Sequence, residues 1–517
     1  MDIVLLNIIP FVLSALVAFP AVRRVLGRQG MAWGTAAVMA VLFGWLTTYI
    51  PTITEEGVIT HTITWVPDIG LALSWYLDGL ALAFALIVTG VGVAVFLYAG
   101  YYLEDETELG KFYLFLGAFA GSMLAVVMAG NVFMLFIAWE GTSIMSFLLI
   151  GFKGAKSEEA RIAASRALVI TGGGGLALFV GLMLMGVVTG SFELSTLLTE
   201  EAGQLLRDHP WYVAITLLIM LGAFTKSAQF PFHFWLPGAM TAPSPASAYL
   251  HSATMVKAGI YLLFRLYPTL GDTWLWINGL LIIGLTTMFL GAFFSVRKRD
   301  LKALLAYSTV SKLGAIIALI GLPEAHGLKG AIIGIIAHAL YKATFFLLAG
   351  TVEHSTGTRN LDSLGGLRKH MPVGFFIAAA VGLSMAGFPP MVGFAAKEFL
   401  LDEMLPLNGI SVIPVIIAFL ASIFTVVAAL LFVWDVFVSR PDTEYDHYHA
   451  PSWGLHVGPA LLAVVSLVGG LFIAQLFGDL VNNILGKPTS LYLIPPELNP
   501  LENTAFGLSI AVLIMGP

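Results

Sequence analysis

Long apolar segments separated by short polar connections run through the whole sequence, and this pattern most constrains the fold. A helix needs about 20 apolar residues to cross the hydrocarbon of a bilayer. Because backbone amides cannot stay unpaired in lipid, such segments span a membrane as helices. We therefore predict an all-α, polytopic membrane protein with about 15 transmembrane helices. The predicted spans lie near residues 3–20, 31–50, 72–101, 112–130, 132–152, 162–189, 211–240, 244–267, 274–295, 301–323, 327–353, 371–400, 409–438, 455–478 and 503–517.

The composition agrees with this class and excludes several functions. Charged residues make up 11% of the chain and hydrophobic residues 58%, whereas soluble domains carry about 25% charged residues. The net charge of −6 is mild and spread along the chain, so nothing suggests a nucleic-acid partner. The chain has no cysteine, which excludes structural disulfides, thiolate-held iron–sulfur clusters and thiol catalysis. We find no metal-ligand spacing, nucleophile elbow or nucleotide loop, and expect no metal, no cofactor and no catalytic residues in this chain.

The two ends of the chain give separate expectations. No basic residue precedes the first apolar run and no small-residue cleavage site follows it, so we interpret it as a retained helix. The last apolar run stops at Pro517 without a polar tail. We expect this chain to be part of a longer protein.

The distribution of Lys and Arg predicts the orientation, because cations accumulate in cytoplasmic loops. With the N-terminus outside, 16 cations fall in inner loops and 4 in outer ones. We therefore predict a multi-pass protein of the cell (plasma) membrane with its N-terminus outside. The predicted inner cations are Arg23, Arg24, Arg28, Lys111, Lys153, Lys156, Arg161, Arg166, Arg297, Lys298, Arg299, Lys302, Arg359, Arg368, Lys369 and Arg440. The predicted outer cations are Arg207, Arg265, Lys329 and Lys487.

Several ionisable residues fall inside the predicted spans. A charge at bilayer depth costs several kcal/mol, so it is rarely left there without a partner or a task. One such residue could be half of a structural pair, but a series across at least five helices favours a proton relay. The members of the series are Glu140, Lys226, His251, Lys257, Lys312, His338, Lys342, Lys397 and Glu398.

Prolines interrupt two of the spans close to these lysines. Pro231 follows Lys226 by five residues, and Lys397 follows the pair Pro389–Pro390 by seven. Proline breaks a helix, and broken backbone is tolerated in a membrane where it lies inside protein or lines a wet cavity. We expect freed backbone groups and water to solvate Lys226, although a lysine near a helix end could instead snorkel.

The reversed order of lysine and proline is what an inverted repeat would give. We predict two inverted five-helix repeats, each containing a broken helix. The predicted division is 1–110 for N-terminal helices, 111–270 and 271–440 for the repeats, and 441–517 for C-terminal helices that we expect to be truncated.

Spacing suggests how the relay groups meet. His338 and Lys342 are four residues apart and share one helix face, whereas His251 and Lys257, six apart, lie on different faces. A carboxylate stabilises the charged form of a nearby lysine, so we expect Glu140 to pair with Lys226.

Three further features belong to the packing of the spans. Lys312 could face a cavity or only the inner end of its helix. The run Gly172–Gly175 predicts a close-packing or flexible helix face, and Asp78 is expected to cap the helix that follows it.

Five sequence motifs resemble those of a known family. They are WEGTSIMSFLLIGF, FTKSAQFPFHFWLPGAMTAPSPASAYLHSATMVKAG, KALLAYSTVSKLG, HALYKATFFLLAG and GFPPMVGFAAKEF. They are similar to motifs of the antiporter-like subunits shared by complex I and Mrp-type multisubunit Na+/H+ antiporters, most of all the large A subunits, over about residues 75–440. The resemblance implies 14 or more helices, inverted repeats and a hydrophilic axis. It implies Glu140 and Lys226 as a coupling pair, then His251 with Lys257, His338 with Lys342, and Lys397 toward the exit.

The leading functional hypothesis is a proton-translocating subunit of a multisubunit Na+/H+ antiporter, with other membrane subunits, H+, Na+ and the bilayer as partners. The alternative is a proton-pumping subunit of a complex I-type or hydrogenase-type redox complex, because the same relay would serve both. A bicarbonate uptake system and a structural scaffold are two further hypotheses. A sodium site needs clustered oxygen ligands, and we see no cluster that demands one.

Overall fold

The computed structural model describes residues 2–66, 71–155, 157–323, 327–405, 412–440, 443, 445, 448–486, 491 and 503–516. Two predicted loop cations, Lys156 and Lys487, lie outside the described residues. In the described part, helices dominate and one pair of strands is present. The helices of the N-terminal part are α1 (Asp2–Ala18), α2 (Pro20–Thr47), α3 (Ile50–Glu56) and α4 (Gly79–Tyr102).

The middle of the chain is a long succession of helices. The first group is α5 (Glu106–Met128), α6 (Val132–Ile150), α7 (Glu158–Thr189), α8 (Leu194–Leu197), α9 (Glu200–Arg207), α10 (Tyr212–Lys226), α11 (Trp235–Gly238), α12 (Ser244–Ala248), α13 (Met255–Arg265) and α14 (Tyr267–Leu270). The second group is α15 (Trp274–Ser295), α16 (Leu301–Ile320), α17 (Leu328–Thr356), α18 (Pro372–Ala386), α19 (Val392–Glu403) and α20 (Ile413–Leu430). The C-terminal helices are α21 (Gly454–Leu471), α22 (Ile473–Leu485) and α23 (Thr504–Met515).

An antiparallel hairpin of β1 (Val58–Val66) and β2 (Leu71–Asp78) precedes α4. The prediction of a helix that begins at residue 72 is therefore wrong, because strand β2 occupies Leu71–Asp78 and helix α4 begins at Gly79. The hairpin is also an exception to the all-α prediction. The run VITHTITWV has the β-branched residues Val, Ile or Thr at seven of its nine positions, which suits a strand that pairs with the next apolar run. The predicted cap is confirmed, because the Asp78 side chain accepts a hydrogen bond of 2.9 Å from the Ala81 amide.

The membrane-spanning character of the chain is confirmed, but the number of full-length spans differs from the predicted one. Among the described residues, ten helices are long and apolar enough to cross a membrane, and four shorter apolar helices accompany them. The predicted single span 244–267 is divided into α12, a π-helical turn at Tyr249–Ala253, and α13. The predicted span 455–478 ends early, since the chain leaves helical geometry at Phe472 before α22 begins.

The two central groups contain the same kinds of helix in the same order. Three long helices come first in each group, and the fourth is broken: α10 ends before Pro231, and α18 ends before Pro389 and Pro390. The fifth contains π-helical turns, Tyr249–Ala253 in the first group and Leu431–Val438 in the second. An odd number of crossings in the first group would let the second enter the membrane from the opposite side, as the predicted inverted repeat requires. The broken helices of the prediction are confirmed. The proposed domain division stays a prediction, and its boundary at residue 111 falls inside α5.

Candidate functional site

All seven predicted relay residues lie on helices of the two central groups. Glu140 is on α6, Lys226 ends α10, His251 lies in the π-helical turn, Lys257 is on α13, His338 and Lys342 are on α17, and Lys397 is on α19. Six of them are buried, with exposed fractions from 0% for Lys226 to 7% for Lys397. Glu140 is the exception, because its side chain is only partly buried in this chain.

Lys226 is held by the main chain and a hydroxyl of α6. Its ammonium donates to the Trp139 carbonyl at 3.2 Å and to Ser143 Oγ at 2.8 Å, and it lies 5.1 Å from the centroid of the Trp139 ring. Glu140 is the neighbour of Trp139 in sequence, but in the described structure it does not form the predicted ion pair with Lys226. The expectation that freed carbonyls of its own helix break solvate Lys226 is not met either, because these partners belong to α6.

The glycine run of α7 provides the close packing that the sequence predicts. A Cβ at Gly174 would lie 1.8 Å from Thr225 Oγ1 of α10, and one at Gly175 would lie 1.9 Å from Glu140 Oε1. The same carboxylate oxygen is buried without a hydrogen-bond partner among the described residues. Glycine at these positions therefore lets α6, α7 and α10 bring Glu140 and the end of α10 together.

The π-helical turn at Tyr249–Ala253 places His251 between the two central groups. Its ring lies 6.2 Å from the Trp235 ring and 6.3 Å from the Phe346 ring of α17. Both ring nitrogens are buried without a partner in the described structure. Single π-helical turns inside helices are frequent at functional sites. The prediction of a continuous helix from His251 to Lys257 misses this turn, since local sequence gives little warning of it.

His338 sits among three lysines near the centre of the molecule. Lys257, Lys342 and Lys312 are its electrostatic neighbours, and the Ser252 main chain lies beside its ring. Lys257 donates to the Ile335 carbonyl of α17 at 2.8 Å, one turn before His338. The structure therefore brings the first group's last lysine and the second group's histidine together, which sequence spacing alone does not reveal.

A polar cavity of about 40 Å³ joins the lysines of the second group. A water needs roughly 10–15 Å³ of such volume, so the cavity can hold a small cluster of waters. Lys312, Lys342 and Lys397 all line it, and Lys342 also donates to Ser308 Oγ. Its other polar lining residues are Ser308, Ser311, Tyr341, Ser384, Ser422 and Thr425.

Lys397 is on α19, and its side chain extends across the break toward the end of α18. Its ammonium approaches the Ala386 carbonyl at the end of α18 at 3.5 Å, and the Ser509 carbonyl of α23 at 3.4 Å. A Cβ at Gly387, whose φ is +73°, would lie 2.7 Å from Lys397 Cε. Here a broken helix does supply a freed carbonyl to its lysine, as predicted for the other break.

The structure adds residues to the seven that the family resemblance assigns to the relay. Lys312 belongs to the predicted ionisable series, and it lines the cavity, which its polar run LLAYSTVSKLG had left open. Ser143 and Ser308, the hydroxyl partners of Lys226 and Lys342, carried no signal in the sequence beyond their helical position. Lys302, predicted in an inner loop, is buried in the first turn of α16 and pairs with Glu353 at 2.9 Å.

Buried polar atoms without partners lie along the same line of residues. Besides both histidines, they include Ser227 Oγ and Ser247 Oγ in the first group and Thr309 Oγ1 in the second. Buried polar groups in native proteins are nearly always satisfied, commonly by ordered water. These described atoms are therefore candidate positions for bound water.

The sequence profile described as "NADH:quinone oxidoreductase/Mrp antiporter, TM" matches residues 129–426, more than half of the chain. The chain belongs to this family. A second profile, "NADH-Ubiquinone oxidoreductase (complex I), chain 5 N-terminus", matches residues 63–113. The family match covers every predicted relay residue, although it assigns no role to any of them.

Relatives in the family are longer than this chain. A probable K(+)/H(+) antiporter A/B subunit of Rhizobium meliloti is 42% identical over 482 residues, which are 92% of this chain and 47% of that protein. An Na(+)/H(+) antiporter A1 subunit of Staphylococcus aureus is 38% identical over 507 residues, 93% of this chain and 62% of that protein. The chain thus spans about half to three-fifths of the length of these relatives.

Two solved structures have the same fold. A chain of the Mrp complex from Dietzia sp. DQ12-45-1b matches with a TM-score of 0.87 and 35% identity, over 99% of this chain and 56% of that chain. A chain of a membrane-bound sulfane sulfur reductase, an archaeal respiratory membrane complex, matches with a TM-score of 0.81 and 23% identity over 99% and 84%. The second likeness concerns the fold alone.

Proposed function

We propose that the chain is the proton-translocating part of a multisubunit Na+/H+ antiporter. The observation that carries the proposal is the buried series of ionisable groups from Lys226 to Lys397, joined by a cavity in its second half. A series of titratable groups at membrane depth is typical of proton relays. The names of the similar proteins favour an antiporter over a redox-driven pump, and they name both Na+ and K+.

In this proposal each station has a role. Glu140 and Lys226 form the coupling pair at one end, and attraction to the carboxylate stabilises the charged lysine whenever the two approach. When Lys226 returns to Trp139 and Ser143, its proton can pass on through water. His251, Lys257 and His338 carry it across the centre, Lys342 accepts it, and Lys397 passes it toward the exit.

Partly exposed Glu140 supports the need for partner subunits. Ile137 and Ile144 on the same outward stripe of α6 are 58% and 48% exposed, so the exposed part of the Glu140 side chain borders an apolar surface, while its Oε1 is buried against α7. A carboxylate at the edge of lipid at that depth costs several kcal/mol. We therefore infer that another membrane subunit covers this face in the assembled protein.

The proposed location is the plasma membrane with the N-terminus outside. Contacts support two separate charged ends: Arg23 donates to the Thr107 carbonyl among the predicted inner cations, while Arg265 pairs with Asp78 at the predicted outer end. Helix α4 separates Asp78 from the inner end by its whole length. Arg265, predicted on the outer side, is buried at the end of α13.

Replacement of the membrane carboxylate tests the proposal. In everted membrane vesicles that contain the assembled protein, we expect Glu140→Gln to lower Na+-dependent proton exchange by about 100-fold, because a positioned proton-transfer partner contributes on this scale. Glu158→Gln, at an exposed residue paired with Arg161, is the matched control and should leave exchange unchanged. Full exchange in Glu140→Gln would refute the assigned coupling pair, and exchange with K+ but not Na+ would refute the proposed cation.

A further inference from the structure

Two open grooves lie side by side at the predicted inner ends of α5, α6 and α7. The first, here called groove 1, has a volume of about 380 Å³ and is lined by Lys111, Phe115, Phe147, Phe152 and Arg161, with small residues beneath. The second, groove 2, has a volume of about 550 Å³ and is lined by Arg161, Arg166, Val169, Ile170 and Phe234. Arg161 therefore lies on the ridge between the grooves.

The cations stand at one end of these grooves and apolar side chains fill the rest. Lys111 lies 5.7 Å from the Phe115 ring centroid and 5.8 Å from that of Phe152, at the mouth of groove 1. In groove 2, Val169 comes eight residues after Arg161 on α7. At about 1.5 Å per residue this places Val169 about 12 Å deeper, close to the half-thickness of about 15 Å of a hydrocarbon core.

These cations have little internal compensation. Arg161 pairs with Glu158, but both side chains are largely exposed, at 65% and 75%. Neither Lys111 nor Arg166 forms an ion pair with another described residue. Three positive charges above apolar grooves are complementary to an amphiphile with an anionic head and long hydrocarbon chains.

We propose that grooves 1 and 2 together bind one anionic phospholipid of the inner leaflet. The phosphate contacts Arg161 on the ridge, with Lys111 and Arg166 on either side, and the two acyl chains occupy one groove each. Basic pockets between membrane helices on the cytoplasmic side are suited to anionic headgroups. The site lies at the inner ends of the helices, whereas the surface around Glu140 that a partner subunit would cover lies at mid-depth.

A phospholipid fits these grooves better than a protein segment does. The α7 face that lines groove 2 is apolar and open, with Ile162 50% and Val169 73% exposed. Acyl chains can cover such an apolar face, and they carry no polar groups that would need hydrogen-bond partners. A protein segment at this depth would need its backbone amides paired internally, which requires a whole helix. The cations at the mouth also call for a negative group at headgroup level.

Lipid retention by the full-length protein, purified from membranes with its accompanying subunits, tests the proposal. The probes are dioleoylphosphatidylglycerol, dioleoylphosphatidylcholine and inorganic phosphate, and the readout is bound lipid by native mass spectrometry. We expect specific retention of the phosphatidylglycerol, and about fivefold weaker retention for each cation removed in Lys111→Gln, Arg161→Gln and Arg166→Gln. Arg368→Gln removes an exposed cation from the same predicted face outside both grooves, and should retain lipid normally.

A second variant separates lipid loss from misfolding. Val169→Trp fills groove 2 from an exposed position without changing charge, and should release the lipid while the protein keeps its thermal stability in phosphatidylcholine. Equal retention in the triple cation variant would overturn the proposal. So would equal retention of phosphatidylcholine, competition by inorganic phosphate alone, or crosslinks that place another subunit in the grooves.

Discussion

At the scale of single residues, hydroxyl groups position the lysines. Lys226 and Lys342 each donate to a serine of a neighbouring helix, Ser143 on α6 and Ser308 on α16. A hydrogen bond to a charged group stabilises it by about 1.5–3 kcal/mol. These serines therefore hold each ammonium against the neighbouring helix.

A pair of serine variants on α6 tests this role. We expect Ser143→Ala to slow proton exchange by about tenfold, the equivalent of losing one charge-assisted hydrogen bond. Ser146→Ala is the matched control, because Ser146 is buried on the same helix and donates only to the Ser143 carbonyl. The rates of proton exchange in vesicles, normalised to protein content, are compared between the two variants. Equal slowing in both variants would mean that α6 packing, not the contact with Lys226, matters.

At the scale of elements, helix interruptions create the site. The breaks after Lys226 and before Lys397 were predictable, because proline inside a span has few structural outcomes. The π-helical turn that holds His251 and the hairpin before α4 were not predictable, since both depend on tertiary packing that overrides local propensity. Tertiary packing also explains why Glu140 and Lys226 do not form the predicted ion pair. The sequence placed both residues at similar depth, but the rotation of their helices decides which side-chain atoms come into contact.

Two adjacent glycines of α7 offer a sharp test of helix packing. A Cβ at Gly174 would overlap Thr225 of α10, whereas a Cβ at Gly173 meets nothing within 4 Å. Overpacking of this kind costs about 1–3 kcal/mol. We expect Gly174→Ala to lower the thermal midpoint by several degrees and Gly173→Ala to leave it unchanged or slightly raised. Thermal unfolding in detergent decides between them, and identical midpoints would contradict the described packing of α7 on α10.

At the scale of the whole molecule, two helix groups of the same element order meet at His338. Sequence predicted the broken helices, the family, and the burial of the ionisable series except for Glu140 and Lys312, because apolar length, internal charge and motif spacing are local properties. The sequence did not predict which ionisable side chains line the same cavity, because Lys312, Lys342 and Lys397 come from three separate helices. The overall orientation stays a prediction from the loop cations.

The lack of cysteine in this chain allows a clean test of that orientation. Arg24→Cys places a single thiol near the start of α2, and Thr54→Cys places one near the end of α3. Both positions are exposed. With the N-terminus outside, a membrane-impermeant maleimide added to intact cells should label Thr54→Cys and spare Arg24→Cys until the cells are opened. The reverse pattern would overturn the predicted orientation.

The most direct measurement of the central claim is the initial rate of Na+-dependent ΔpH change in vesicles that carry the assembled protein. We predict a loss of about 100-fold in both Lys226→Ala and Lys397→Ala, because each removes one proton-transfer station at an opposite end of the same line. Lys298→Ala, at the predicted inner surface, should keep the full rate. Unchanged exchange in both buried-lysine variants would contradict a proton path through these residues.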